Sequence, residues 1–266
     1  MLCGDFEEFM MTTRLTVLAV GLICLSVSTG EAQDNWPQFR GETAGVVADN
    51  PALPVSWGPD ENVAWRIDMP GRGWSSPIVW GDHVFVLTST AVTGPEVPIQ
   101  PIENYRARSL GGAMTAAYIT EQTEPLQWVL YDIDFDTGEV RWERTLHEAV
   151  PSLPTHQKST FASETPVTDG ERVYTYFGAI GLVAALDLDG EVVWTRELGV
   201  FNGRQRFGTA ASPALHDGRL FIVNDNVTAA ALLVLDGDRG RTMSRQAIKR
   251  PCPRKLKLWK SCNGWC

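Results

Sequence analysis

From Gln33 to Pro251 this 266-residue chain has no cysteine, its five copies being Cys3, Cys24, Cys252, Cys262 and Cys266, so no disulfide framework holds the body together. Cys262 and Cys266 have neither Cys-x-x-Cys spacing nor a nearby histidine, which gives no zinc site. The four histidines, His83, His147, His156 and His216, show no His-Glu-x-x-His or His-x-His pattern. A Gly-x-Ser-x-Gly elbow, a Walker loop and a Gly-x-Gly-x-x-Gly turn are all missing, which removes serine-hydrolase, nucleotide and dinucleotide chemistry. Acidic residues are missing from 239–266, which carry nine Lys/Arg; residues 1–238 therefore hold 14 Lys/Arg against 32 Asp/Glu, a net charge of −18. An acidic body of that size repels nucleic-acid phosphates and anionic lipid, so a nucleic-acid partner is not expected, and neutral or cationic partners are.

Long apolar runs are equally scarce. The one at the N-terminus, Leu15–Val27, follows Met11-Thr-Thr-Arg14 and precedes Gly30-Glu31-Ala32, the order of a secretory signal with a small-residue cleavage site. The run is short for a bilayer span, so stable membrane insertion is not expected. The acidic stretch Asp5–Glu8 before it points to Met10 or Met11 as the start. Ile23 stands before Cys24 where a lipoprotein signal needs a small residue, which argues against a lipid anchor. Residues 1–32 are thus expected to be a signal peptide, and the mature protein periplasmic or secreted.

The sequence does contain a repeat. Three segments align on a proline: Ser76-Pro77 with Val84-Phe85, Thr165-Pro166 with Val173-Tyr174, and Ser212-Pro213 with Leu220-Phe221. A hydroxyl residue precedes each proline, an aliphatic follows at the seventh position and an aromatic at the eighth. Between them lie Gly81-Asp82, Asp169-Gly170 and Asp217-Gly218, strong hairpin signals. Second hairpins follow, Trp128–Ile133 with Glu139–Trp142 and Leu182–Leu186 with Glu191–Trp194. Four short strands per unit, at a spacing of 47 residues between Pro166 and Pro213, describe the blade of a β-propeller. The fold class is all-β, a propeller of four-stranded antiparallel blades; a β-sandwich does not require the same turn and tryptophan in successive units.

The pattern Asp-x-x-Thr-Gly-x-x-x-Trp, carried by Asp134, Thr137, Gly138 and Trp142, resembles the repeat of pyrroloquinoline-quinone-type, quinoprotein alcohol dehydrogenase-like β-propellers. The opening Asn35-Trp36-Pro37-Gln38-Phe39-Arg40-Gly41 is similar to the start of exported members. The resemblance implies either a quinone-dependent dehydrogenase, with the quinone (PQQ) and calcium in the central channel, or a non-enzymatic scaffold such as the propeller lipoprotein of outer-membrane assembly. An adjacent-cysteine ring found in many of the enzymes has no counterpart here. The repeat covers residues 33–238, about three blades of an incomplete propeller. From Gly237 the expected turn and Val-x-Trp give way to Gly237-Asp-Arg-Gly240-Arg-Thr-Met243, so 239–266 reads as a non-propeller basic tail, frameshifted or disordered. Val63-Ala-Trp65-Arg-Ile67 reads as the outer strand of a blade whose other strands are elsewhere.

All long connections, including the excursion Ala91–Pro125, fall on one rim, which is where a ligand would bind if one does. The candidates at the mouth of the inner strands are Arg72, Trp74, Lys158, Glu164 and Arg206, facing an unknown protein or small-molecule partner. Asp132, Asp134 and Asp136 alternate, but Thr137 stands where a calcium loop needs glycine, so they read as a strand running into its turn and no metal site is expected. Trp65, Trp142 and Trp194 recur with the repeat and read as blade-to-blade packing. With no catalytic residues and no cofactor-binding residues found, the expectation is a non-enzymatic exported scaffold; the alternative is a fragment of a quinone-dependent dehydrogenase.

Overall fold

The computed structural model describes residues 35–46, 51, 53–93, 119–120, 122–156, 158–201, 207–226 and 230–248, all within one compact unit, Asn35–Cys266. Three four-stranded antiparallel sheets follow one another. Blade 1 is β1 (Ile78–Trp80), β2 (His83–Ala91), β4 (Leu126–Asp134) and β5 (Val140–Ala149); blade 2 is β7 (Val167–Thr168), β8 (Arg172–Phe177), β9 (Leu182–Asp187) and β10 (Val192–Glu197). Blade 3 is β11 (Ala214–His216), β12 (Arg219–Asn224), β13 (Ala231–Asp236) and β14 (Thr242–Ala247). A two-stranded ribbon, β3 (Ile119–Thr120) with β6 (Thr155–His156), joins the long excursion to the lead-in of blade 2. Most of Ala91–Pro125 lies outside the described residues.

Alternation within each strand divides its side chains between two neighbours. Phe85, Leu87, Trp128 and Leu130 of blade 1 meet Val173, Phe177, Leu182, Ala184 and Leu186 of blade 2. From the other face of blade 2, Tyr174, Tyr176, Val183 and Ala185 meet Leu220, Ile222, Leu233 and Leu235 of blade 3. Blade 2 is covered on both faces, which is why Leu182–Leu186 is apolar and buried without a break. The outer strands β5, β10 and β14 are largely exposed.

Each blade docks on the next through one tryptophan. The indole of Trp65 lies over Gly138, that of Trp142 over Gly190 and that of Trp194 over Gly240. Their Nε1–H groups donate to Phe135 O, Leu188 O and Gly237 O at 2.7, 2.9 and 2.8 Å. All three glycines have positive φ, and a Cβ on any of them would come within 2.8 Å of the ring, so glycine is needed for both reasons. Trp142 and Trp194 are therefore blade-to-blade packing, whereas Trp65 packs a segment outside the sheets onto blade 1.

The end of the repeat is corrected. Thr242–Ala247 forms β14, the fourth strand of blade 3, in register with β13 from Ala231↔Ala247 to Leu235↔Thr242. The turn before it is intact: Asp236 Oδ1 accepts the amides of Asp238 and Arg239, as Asp134 Oδ1 accepts those of Asp136 and Thr137. Gly240 N donates to Asp236 O as Gly138 N donates to Asp134 O. Backbone hydrogen bonds hold an outer strand, and all six β14 residues are exposed, so the loss of apolar alternation did not end the sheet. The propeller extends through residue 247; residues 249–266 lie outside the described residues, as does the segment expected to be a signal peptide. Val63–Ile67 is no strand of a sheet; Trp65, Ile67 and Met69 pack instead on Val84, Val129, Tyr131 and Ile133, the outer face of blade 1.

Candidate functional site: the long-loop rim and the inner wall

The inner strands β1 and β7 are short, and other segments complete the wall they begin. Gly71-Arg72-Gly73 runs along β2 beyond the reach of β1, with Arg72 N donating to Ser89 O at 2.9 Å and Ser89 N to Arg72 O at 2.8 Å. Gly73 approaches Leu87 O so closely that a Cβ would overlap it. On the inner edge of β1, Trp36 pairs antiparallel with Val79, its N 2.8 Å from Val79 O, and Gly81 N donates to Asn35 Oδ1 at 2.8 Å. The next residue reaches the second blade: Thr168 N on β7 donates to Pro37 O at 2.9 Å. The opening segment thus lies across the inner wall of blades 1 and 2.

At the rim the three lead-ins are stitched side by side. Trp74 N donates to Ala162 O at 3.0 Å and Ser76 N to Thr165 Oγ1 at 3.0 Å; Thr165 N donates in turn to Ser212 Oγ at 2.9 Å. The hydroxyls before the second and third prolines, those of Thr165 and Ser212, therefore accept the amide of the same position one blade earlier. Trp128, fully buried, anchors the long lead-in of blade 2 by donating from Nε1 to Phe161 O at 2.8 Å.

Of the five rim candidates, Trp74 is exposed (54%), Arg72 and Lys158 are half-buried, and Arg206 lies outside the described residues. The backbone brings Trp74 beside the segment that carries Lys158 and Glu164. Glu164 itself is buried; its carboxyl accepts Gly178 N at 3.2 Å and the Thr209 hydroxyl. Burial pushes its pKa up to about 7 despite those donors. His156 stacks edge-on to Phe207 at 4.8 Å, and burial, with the nearby Lys158 charge, lowers its pKa.

Among the described residues no group of three His, Cys, Asp or Glu stands together as a metal site. The three alternating aspartates are spent separately: Asp132 lies 2.8 Å from His83 Nδ1, Asp134 caps its turn and pairs with Arg141, and the Asp136 amide donates to Asp134. The Asp132–His83 pair was not legible in the repeat, because the matching positions in blades 2 and 3 are Ala185 with Arg172 and Val234 with Arg219. Thr209 was also missed, since nothing in its neighbourhood marks it as the partner of a carboxyl 45 residues earlier. No helix of the described residues is long and apolar enough to cross a membrane.

Three four-stranded blades, docked by one recurring tryptophan and with their lead-ins hydrogen-bonded side by side, define a propeller-type repeat protein. A family described as "Outer membrane protein assembly factor BamB" matches residues 127–259, half of the chain. The chain belongs to this pyrroloquinoline-quinone-type repeat family. No curated protein matches it. Solved structures similar to it include a europium-containing methanol dehydrogenase (11% identity, 66% of this chain and 24% of that one, TM-score 0.40). The quinohemoprotein alcohol dehydrogenase ADHIIG of Pseudomonas putida HK5 is similar at 13% identity, over 69% and 22%, with TM-score 0.40. BamB from Moraxella catarrhalis is similar at 23% identity, over 48% and 38%, with TM-score 0.32. The chain spans about a quarter of the length of the first two.

Proposed function

We propose that this chain is an exported, non-enzymatic binding scaffold that meets a protein partner on its long-loop rim, at Arg72, Trp74 and Lys158. The observation that carries this reading is the pairing of Trp36 and Pro37 with the inner edges of β1 and β7. A flat quinone needs an open inner wall that can bury most of its surface, and here the chain's own backbone takes that place. The one carboxyl among the rim candidates, Glu164, is turned onto Gly178 and Thr209 rather than toward a cation. These residues do not fit a quinone with calcium. The exposed indole of Trp74 beside basic residues suits a protein surface, where aromatic side chains and arginine are enriched.

The second reading, a fragment of a quinone-dependent dehydrogenase, makes the opposite prediction. Incubation with the quinone and calcium, followed by dye reduction on primary alcohols, is expected to give no turnover; turnover above the quinone-only control would establish the enzyme. A photo-activatable residue at position 74 is expected to trap protein adducts in the exporting host. The same residue at Val193, exposed on the outer strand of blade 2, serves as the comparison, and equal trapping there would refute a rim site.

A further inference from the structure

The lead-in of blade 3 is fastened to that of blade 2 at two points, one on each side of Gly208. On one side Phe207 O accepts His156 N at 3.2 Å and the Thr155 hydroxyl at 3.4 Å, and the Phe207 ring stands edge-on to the His156 imidazole. On the other side the Thr209 hydroxyl donates to the Glu164 carboxyl. Gly208 between them has a φ of +82°, and a Cβ there would come 2.8 Å from Thr155 Oγ1, so only glycine fits the joint.

The first point holds only while His156 is neutral. Its Nδ1 accepts the Lys158 amide at 3.0 Å while its carbonyl accepts the Ser159 amide at 2.7 Å, and the turn so closed sets the ring against Phe207. A protonated imidazole donates from both nitrogens and has no lone pair left to accept with. Protonation at Nδ1 therefore breaks the bond from the Lys158 amide and adds a second positive charge near the Lys158 ammonium. Burial first, and that ammonium second, oppose it and lower the His156 pKa below 6.5. Ile119, paired with His156 across the ribbon, and Phe207 bring no charge of their own. The second point responds in the opposite sense. Burial favours the neutral form of Glu164, with Tyr176 the titratable group that feels it from β8, and Thr209 and Gly178 among its uncharged donors.

We propose that the contact of His156 with Phe207 is an acid-released latch: protonation of His156 frees Phe207 to turn about Gly208, while Thr209 stays pinned to Glu164. Because the latched ring has a pKa below the 6.5 of an exposed imidazole, closing the latch releases a proton. The latch has its full strength above about pH 6.5 and weakens as pH falls from there toward the latched value. Glu164 works the other way, its raised pKa stabilising the pinned state increasingly as pH falls from about 7 to 4.5. Acid thus tightens the pivot as it loosens the latch, and the motion is confined to one side of the glycine. His156 and Lys158 lie in the segment whose Ala162 O holds Trp74 N. The latch therefore borders the rim surface proposed above for a partner, and its bearing on that partner rests on that reading.

Hydrogen exchange of the full chain, followed by NMR from about pH 7.5 to about pH 5 with each amide rate divided by its unstructured rate at that pH, tests the latch without any partner. The amides of His156 and Lys158, which donate to Phe207 O and to Nδ1, are expected to lose protection below pH 6.5. The loss is up to about tenfold for each unit by which the latch lowers the His156 pKa. The amide of Val183, buried in β9, is expected to keep its protection. His156→Gln keeps an acceptor for the Lys158 amide and does not titrate, so its profile is expected to be flat. The imidazole nitrogen shifts of the parent give a reading that needs no variant: a ring protonated at Nε2 at neutral pH, taking up its second proton below pH 6.5. Protection that does not change with pH in the parent, an equal acid loss in a folded His156→Gln chain, or a His156 ring that titrates at or above pH 6.5 would each overturn the proposal. Because no partner takes part, these outcomes do not depend on the rim reading.

Discussion

The carboxyl of Glu164 sits in the seam between blades 2 and 3, fed by Gly178 N–H and the Thr209 hydroxyl, and burial raises its pKa from 4.5 to about 7. Because the folded value lies above the unfolded one, the folded protein keeps a proton that the unfolded chain has lost. Stability therefore falls as pH rises from about 4.5 to about 7 and is level beyond. Glu164→Gln keeps an acceptor for both donors and removes the ionisation, so its urea midpoint is expected to exceed that of the parent at pH 8 and to match it near pH 4.5. The difference is up to roughly 3 kcal/mol. Equal pH profiles for the two proteins would refute a buried, titrating carboxyl. The position of Glu164 before the second repeat proline was legible in the sequence, but its burial was not: Thr209 and Gly178 come from two other segments, and only the fold makes them neighbours.

β14 was hidden at the scale of the element. Its sequence lacks apolar alternation, acids and tryptophan, and those signals report side-chain burial, which an exposed outer strand does not need. The legible clue was the turn: Asp236 and Gly240 repeat the four-residue spacing of Asp134 and Gly138, with Arg239 in the place of Thr137. Ending the chain at Gly237 removes the glycine beneath Trp194 and the partner of β13 together. Relative to a chain ended at Ile248, this truncation is expected to lower stability by on the order of 2 kcal/mol, from lost aromatic packing and backbone pairing. Coincident urea transitions for the two truncations would refute a structural role for β14. The inner strands were easier to find, since the hydroxyl–proline pair and the glycine-containing turn depend on local backbone chemistry and recur three times.

For the whole molecule, the order of charged, apolar and small residues over 1–32 predicts export with cleavage after Ala32. Intact-mass measurement of the product from the periplasm or medium of a bacterial host is expected to give Gln33 as the first residue; a mature chain that keeps Met11 would contradict this. By itself the sequence determined the blade repeat, its strand order and the tryptophan on the outer strands of blades 1 and 2, because period-two alternation, turn glycines and fixed spacing act over a few residues and survive without knowledge of neighbours. Tertiary structure alone decided what meets across the seams. It laid Trp36–Pro37 along the inner wall, drew Glu164 inside, joined His83 to Asp132 and carried blade 3 on to residue 247. The first three pair backbone or charge groups far apart in the chain, and the free energy that selects them, the cost of leaving a buried polar group unpaired, exists only once the blades have packed; β14 is instead an exposed strand held by its hairpin pairing with β13.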